Sequence, residues 1–241
     1  AVELIHELTQ RGIHFVVASG RQYDNERRVF ARIKDDVSYI GENGSICIHQ
    51  GKVISRGLIH DDLAYRIINE IKKNENFEIV VSREDTCLIE NNNADFVHHI
   101  VDVMHNTTQI VDDMRQVKGP FLKIAICNMK NAPHVMDNYL KHLQELFSSE
   151  IKVVTSGNLW IDFIAPGTNK GTALKNLLDL FHIAPEDCIA FGDQFNDIEM
   201  LELVGHSYAM SNAAPGVAYY ADEVTDTVED VLEDVLASLD I

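Results

Sequence analysis

The stretch Phe191-Gly192-Asp193-Gln194-Phe195-Asn196-Asp197, continuing as Ile198-Glu199-Met200-Leu201, decides how this chain is read. Before it, Asp187-Cys188-Ile189-Ala190-Phe191 is a short apolar run of the kind that forms a buried strand. After it, Ile198, Leu201 and Leu203-Val204 recur at helical spacing. A strand that ends in a Gly-Asp turn and reopens as a helix is one β-α unit of an open α/β sheet. Such sheets bind ligands beyond the C-terminal ends of their strands. Asp193, Asn196 and Asp197 bring oxygen donors to that position, the donor type that suits Mg²⁺. Taken alone, the residues fit an ordinary turn equally well, with Asp193 satisfying loop amides and Asp197 favouring the helix start.

Outward from this stretch, the same alternation continues. Gly167-Thr168-Asn169-Lys170-Gly171 leads into a helix with Ala173, Leu174, Leu177, Leu178 and Phe181 on its apolar face. Beyond it come a short strand at 208–210, a small helical stretch at 218–221 and a terminal amphipathic helix at 228–239. At the other end, a helix over 1–10 stops at Arg11-Gly12. A buried strand is expected at 13–18, then Ser19-Gly20-Arg21 and a polar helix over 22–33. A strand at 37–40 runs into Gly41-Glu42-Asn43-Gly44, whose Asn-Gly is a turn signal, and a hairpin follows at 46–48 and 53–54. The middle breaks the alternation. There Asp62 is expected to cap a helix, with strands at 77–81 and 86–89, a helix at 94–105, a strand at 121–126, a helix at 132–147 and a strand pair at 151–155 and 159–164. The expectation is an α/β parallel-sheet core over 1–56 and 166–241 with an inserted α+β domain over 57–165.

Composition narrows the function. The 241 residues are 46% hydrophobic and 24% charged, an ordinary globular balance. The net charge of −18 argues against nucleic acid and anionic membrane surfaces as partners. It also opposes any phosphorylated ligand, so a phosphate site here needs local cations. Cys47, Cys87, Cys127 and Cys188 are far apart and form no C-x-x-C, as expected of free thiols in a reducing cytoplasm. No apolar run is long enough to cross a bilayer, and no signal peptide is evident. A cytoplasmic protein, monomeric or weakly dimeric, is expected. His98 and His105 are seven apart on one predicted helix but lack a carboxylate-rich loop, so surface or packing roles are expected. The acidic run from Asp222 to Asp240 reads as a solvated helix face, and Trp160 is expected to pack between the two domains.

Three loops supply complementary parts of a phosphate site. Ser19 offers a hydroxyl, and Gly20 allows close backbone approach at a helix start, where amides point at an anion. Arg21 and Lys170 bring charge, although a cation at a helix N-terminus is disfavoured by the helix dipole. Asp193 can hold Mg²⁺, and Asn196 can hydrogen-bond the phosphate or brace its loop.

In these motifs the chain resembles the haloacid dehalogenase superfamily of phosphatases, specifically the Cof-type branch with the class IIB cap. The carriers are Val17-Ala18-Ser19-Gly20-Arg21, Asn43-Gly44, Ala165-Pro166-Gly167 through Lys170-Gly171-Thr172-Ala173-Leu174, and Gly192-Asp193 through Leu201. The resemblance covers nearly the whole chain. It implies a Rossmann-like core with an inserted cap. It also implies a Mg²⁺-dependent hydrolase of small phosphorylated metabolites, such as sugar phosphates, working through an aspartyl-phosphate. By resemblance Ser19, Gly20, Arg21, Asn43, Lys170 and Asn196 bind substrate or phosphate. Lys170, Asp193 and Asp197 are catalytic, and Asp193 is the Mg²⁺ ligand. The family's first motif, Asp-x-Asp-Gly-Thr, occurs nowhere in the chain. The expectation is that it lies upstream of Ala1 on the first core strand, which is missing here, so that the chain alone is inactive. The alternatives are a non-catalytic phosphate-binding module and a phosphomutase-like transferase.

Overall fold

The apolar runs flanking the Gly-Asp turn form the strand Ile189–Gly192 and the helix Ile198–Leu201, joined by a 3₁₀ turn at Phe195–Asp197. They belong to a computed structural model that describes residues 2–129, 133–156 and 159–239. Ala1, Ala132 and Asp240, used above as ends of expected elements, lie outside these. The chain divides into two compact units: Ala1–Ser19, Glu26–Ser55 and Asn169–Ile241 form one, and Gly20–Asn25 with Arg56–Thr168 form the other.

The first unit carries two sheets on one apolar core. Ile189–Gly192, His206–Met210 and Glu223–Thr225 run parallel in that order. Val16–Ala18 runs parallel to Ser38–Gly41, which continues antiparallel into Ile46–His49 and then Lys52–Arg56. Ile40 and Cys47 of one sheet and Ala190 of the other pack with Ala173, Leu174, Leu177 and Leu178 of the helix Lys170–Phe181. Burial of Ile40 and the three leucines, at roughly 1.5–3 kcal/mol each, holds the two sheets to one helix. Val16–Ala18 and Ile189–Gly192 are the edge strands of their sheets, and both line an apolar groove of about 610 Å³ with Leu8, Leu174, Phe181 and Leu232. The expected buried strand at 13–18 is therefore corrected. Only Val16–Ala18 is extended, and it is half-buried because one side faces this groove. The polar helix expected over 22–33 is likewise only Tyr23–Val29. Val29 is exposed, so no apolar stripe carries the helix further, and the Arg27–Asp35 ion pair (2.9 Å) closes the turns that follow.

The second unit is a six-stranded sheet in the order Thr108–Val111, Cys87–Glu90, Glu78–Ser82, Lys123–Cys127, Trp160–Ile164, Lys152–Ser156. The pairing given is antiparallel except where Cys87–Glu90 meets Thr108–Val111. Ile67, Ile68 and Ile71 of the helix Asp61–Ile71, with Leu143 and Phe147 of Pro133–Phe147, build the main core against Ile124, Ile126, Ile161 and Phe163. Phe96 and Ile100 join the alternate residues Val80, Ala125 and Cys127 in a second, smaller core. Three expectations change. Asp62 is not the cap of its helix; His60 occupies that position, and Asp61 and Asp62 sit in the first turn, where the helix dipole favours them. The helix expected at 94–105 is α-helical only over Ala94–His98, capped by Asn93, and widens into a π turn at His99–Val103. The strand Thr108–Val111 was not anticipated, because its polar sequence becomes extended only by pairing with Cys87–Glu90.

Candidate active site

In the first unit, Lys170 opens a helix whose preceding residue, Asn169, closes a capping box with Thr172. A cation in a first turn opposes the helix dipole. Lys170 is nevertheless only 5% exposed, and its Nζ lies 2.5 Å from Oδ1 of Asp197, itself 3% exposed. The carboxylate is what makes the position tolerable. The other oxygen of Asp197 accepts from the backbone N–H groups of Asp193 and Gln194, each at 3.0 Å. Asp197 precedes the helix Ile198–Leu201 but makes no capping bond to it; its bonds run back into the loop. Its role is thus to fold the Asp193–Asp197 turn and neutralise Lys170. Asp193 differs. Its carboxylate is exposed and makes no hydrogen bond or ion pair among the described residues.

The turn is tied to the other sheet of the same unit. Asn196 donates from Nδ2 to Oδ1 of Asn43 (2.8 Å), and its own Oδ1 is buried with no hydrogen-bond partner. Glu42, Asn43 and Gly44 have φ of 52°, 60° and 97°, three left-handed residues in succession. Strain of this kind costs of order 1 kcal/mol or more per non-glycine residue and persists where the surroundings enforce it. The enforcement is visible. A Cβ on Gly44 would lie 2.3 Å from the Asn169 carbonyl oxygen, so only glycine lets this turn seat against the start of the Lys170 helix. The backbone N–H of Asn43 donates to Ser19 O (3.0 Å), and that of Ser19 to Ile40 O (2.8 Å). Ser19, Asn43, Lys170, Asn196 and Asp197 are therefore linked within the first unit, and Asp193 stands on the same turn. Gly20 and Arg21 fall in the second unit, where Lys123 donates to Gly20 O (3.2 Å) and Arg21 is exposed.

The donor set fits a hard divalent cation in one respect. The loop holds an uncommitted carboxylate, Asp193, and a buried, unpartnered amide oxygen, Asn196 Oδ1. Asp197 is largely committed, its Oδ1 to Lys170 and its Oδ2 to two backbone amides. Elsewhere, His98 pairs with Asp102 (2.8 Å) on an exposed surface, and no group of three His, Cys, Asp or Glu side chains among the described residues could hold a metal. Trp160 packs with the Phe96 and Ile100 cluster of the second unit and stacks on His99, centroids 6.4 Å apart. The structural partners that sequence reasoning missed are Asn169, Gln22 and Lys123. For the first, the Asn-x-x-Thr spacing was the available signal. For the other two, nothing local marked them.

The family model described as haloacid dehalogenase-like hydrolase matches residues 1–235. This chain belongs to that family. Among haloacid dehalogenase-like relatives, it is 28% identical over 211 residues to the 5-amino-6-(5-phospho-D-ribitylamino)uracil phosphatase YbjI of Escherichia coli, spanning 88% of this chain and 77% of that one. It is 25% identical to the HMP-PP phosphatase of Yersinia pseudotuberculosis, spanning 88% and 76%. Among solved structures, SMU.1108c from Streptococcus mutans superposes with a TM-score of 0.85 at 26% identity, covering 98% of this chain and 90% of that one. The HAD subclass IIB sugar phosphatase BT4131 superposes at 0.80 and 20% identity, covering 97% and 90%, a likeness of fold alone. The α/β fold with a parallel core is thus that of the subclass IIB hydrolases. Among the described residues, no helix of this family member is long and apolar enough to cross a membrane.

Proposed function

We propose that this chain is a phosphomonoester hydrolase for small phosphorylated metabolites and that the loops described above hold its phosphate and metal. The observation that carries the reading is the division of labour within the Asp193–Asp197 turn. Asp197 is consumed by Lys170 and two backbone amides, while Asp193 and Asn196 Oδ1 remain uncommitted. That is the arrangement expected of a rigid loop with one carboxylate reserved for Mg²⁺. The relatives' names, phosphatases of phosphorylated small molecules, agree with it.

In this reading Lys170 supplies positive charge for the phosphoryl oxygens, and the buried Asp197 fixes where that charge sits. Ser19, braced through its backbone to Ile40 and Asn43, offers its hydroxyl to the same group, with Gly20 and Arg21 following it in the chain. Asn196 and Asn43 brace the turn against the Ser19 strand. Mg²⁺, held by Asp193, would neutralise charge on the phosphoryl group and the attacking carboxylate. The core over 1–56 and 166–241, the cap over 57–165 and a cytoplasmic setting complete the proposal.

The test is Mg²⁺-dependent release of phosphate from a generic aryl phosphate by the full-length protein. Turnover lost on removing Mg²⁺, and lost in Asp193→Asn, supports the reading. Phosphate binding without turnover would assign the chain to the non-catalytic modules, and an isomeric sugar phosphate in place of free phosphate would assign it to the mutases.

A further inference from the structure

Asp193, the residue proposed above to hold Mg²⁺, has both of its backbone groups fixed, and from two different directions. Its N–H donates to Oδ2 of Asp197 (3.0 Å), inside its own turn. Its carbonyl accepts from the backbone N–H of Ala214 (2.8 Å), which belongs to another loop of the same unit. That loop follows the strand His206–Met210, which runs parallel to Ile189–Gly192 with Gly192 opposite Ala209. Parallel neighbours bring their C-terminal ends to the same side of a sheet. The chain leaving the second strand thus returns to the chain leaving the first.

The returning loop is anchored along its length. Ser211 N–H donates to Thr225 O (2.8 Å), and Ala213 N–H to Met210 O (2.9 Å). Val217, fully buried, donates from its N–H to Ala214 O (3.0 Å). Val217 packs in the same core as Ala190 and Leu201, with Ala213 and Ala214 half-buried against it. Ala214 therefore spends its C=O on Val217 and its N–H on Asp193, and the bond to Asp193 is made from a fixed base. The peptide groups on either side of Asp193 are both held, which sets its φ and ψ. Its exposed carboxylate keeps only two side-chain torsions.

We propose that Ala214 is a positioning residue, whose backbone N–H aims the Asp193 carboxylate as a ligand for Mg²⁺. The inference rests on the metal reading given above and adds the group that sets the ligand's direction. Mg²⁺ demands near-octahedral geometry, so a single exposed carboxylate holds it well only when the backbone beneath is fixed. Outer groups that orient a metal ligand are worth about ten- to a hundredfold in affinity. The Ala214 contact is made by the main chain, so no side-chain type in the sequence marks it.

The experiment measures Mg²⁺ affinity of the full-length protein by titration calorimetry, with the melting temperature of each variant alongside. Ala214→Pro removes the donor N–H. Leu8→Ala, a buried position in the helix Val2–Gln10, lowers stability away from the loop and is the control. Ala214→Pro is expected to weaken Mg²⁺ binding about tenfold, and Leu8→Ala to leave it unchanged despite its lower melting temperature. Hydrogen exchange of the wild type gives a second reading that needs no variant to fold. By linkage, Mg²⁺ should slow exchange of the Ala214 amide and not that of Ala213, which bonds Met210 instead. Wild-type Mg²⁺ affinity in folded Ala214→Pro would overturn the inference. Where that variant does not fold, slowed Ala214 exchange supports the inference and exchange indifferent to Mg²⁺ overturns it. Asp193→Asn separates the two readings. If it leaves Mg²⁺ binding unchanged, the metal reading falls, and this inference with it; if it abolishes binding that Ala214→Pro retains in full, this inference alone falls.

Discussion

Asp193 and Asp197 are four residues apart on one turn, yet their surroundings give them opposite tasks. Asp193 is exposed and unpaired, so Asp193→Asn should leave the urea midpoint within experimental error, because such surface changes are usually within about 0.5 kcal/mol. Mg²⁺ affinity should fall at the same time; unchanged Mg²⁺ binding would mean that the carboxylate is not the ligand. The Lys170–Asp197 pair behaves differently. Both members are nearly fully buried, and desolvation offsets much of their attraction. Lys170→Met should therefore cost about 3 kcal/mol, chiefly by leaving Asp197 charged and unpaired. Combining it with Asp197→Asn should cost less than the sum of the two single changes. A urea-denaturation double-mutant cycle reads the coupling directly, and strict additivity would show that the two residues do not depend on each other.

The elements carry the site by close approach. Gly44 seats the left-handed Glu42–Gly44 turn against Asn169, and Gly171 lets the Lys170 helix approach the Glu199 carbonyl, where an added Cβ would lie only 2.4 Å away. Gly44→Ala should cost about 2 kcal/mol or more, since a Cβ is opposed both by φ 97° and by the Asn169 carbonyl. It should also weaken phosphate binding by shifting the Lys170 end of its helix. Asn169→Ala removes the cap alone and should cost about 1 kcal/mol. Thermal melts of the two variants rank them, and an equal effect would show that the clash is relieved at no cost. The two Asn-centred features were legible in sequence to different degrees. Asn43-Gly44 announces a turn by composition, but its contact with Asn169 joins residues more than a hundred positions apart, and no local signal encodes that.

For the whole molecule, burial governs the thiols. Cys47 and Cys127 are pushed up to about 12 by burial, so their reactive thiolate is scarce at neutral pH. Cys188 is also raised, first by burial and then by Asp187 and Glu186, but it is partly exposed. Alkylation at pH 8 followed by mass spectrometry should modify Cys188 first in the folded protein and all four cysteines after denaturation. Early labelling of Cys47 would contradict the packing of the first unit. Acid acts through carboxylates held in the ionised form. The Ser207 backbone N–H holds Asp222 below its usual range, as Lys73 does for Glu70 and Arg66 for Glu150. A lowered folded value adds stability above the unfolded value, about 4, and that stability is lost as pH falls through the folded one. The difference in urea midpoint between wild type and Asp222→Asn, which cancels the relief of the −18 background, should therefore be largest near neutrality and shrink below about pH 4. A difference that grows in acid would reverse the assignment.

Periodicity in the sequence set out the alternating core and the α+β stretch that interrupts it, side-chain type at the ends of strands marked Ser19, Lys170, Asp193, Asn196 and Asp197 as candidates, and the family resemblance added Asn43. These are local properties: apolar spacing, turn composition and the type of side chain at the end of a strand. The tertiary structure alone decided which carboxylate is spent on Lys170 and which is left exposed. It alone showed that Gln22 and Lys123 hold the chain after Ser19, and that the π turn at His99–Val103 breaks a helix whose apolar spacing looked continuous. The reason is common to all three. Burial and hydrogen-bond satisfaction are set by neighbours distant in sequence, and a residue's charge or amide takes its role only once those neighbours are in place.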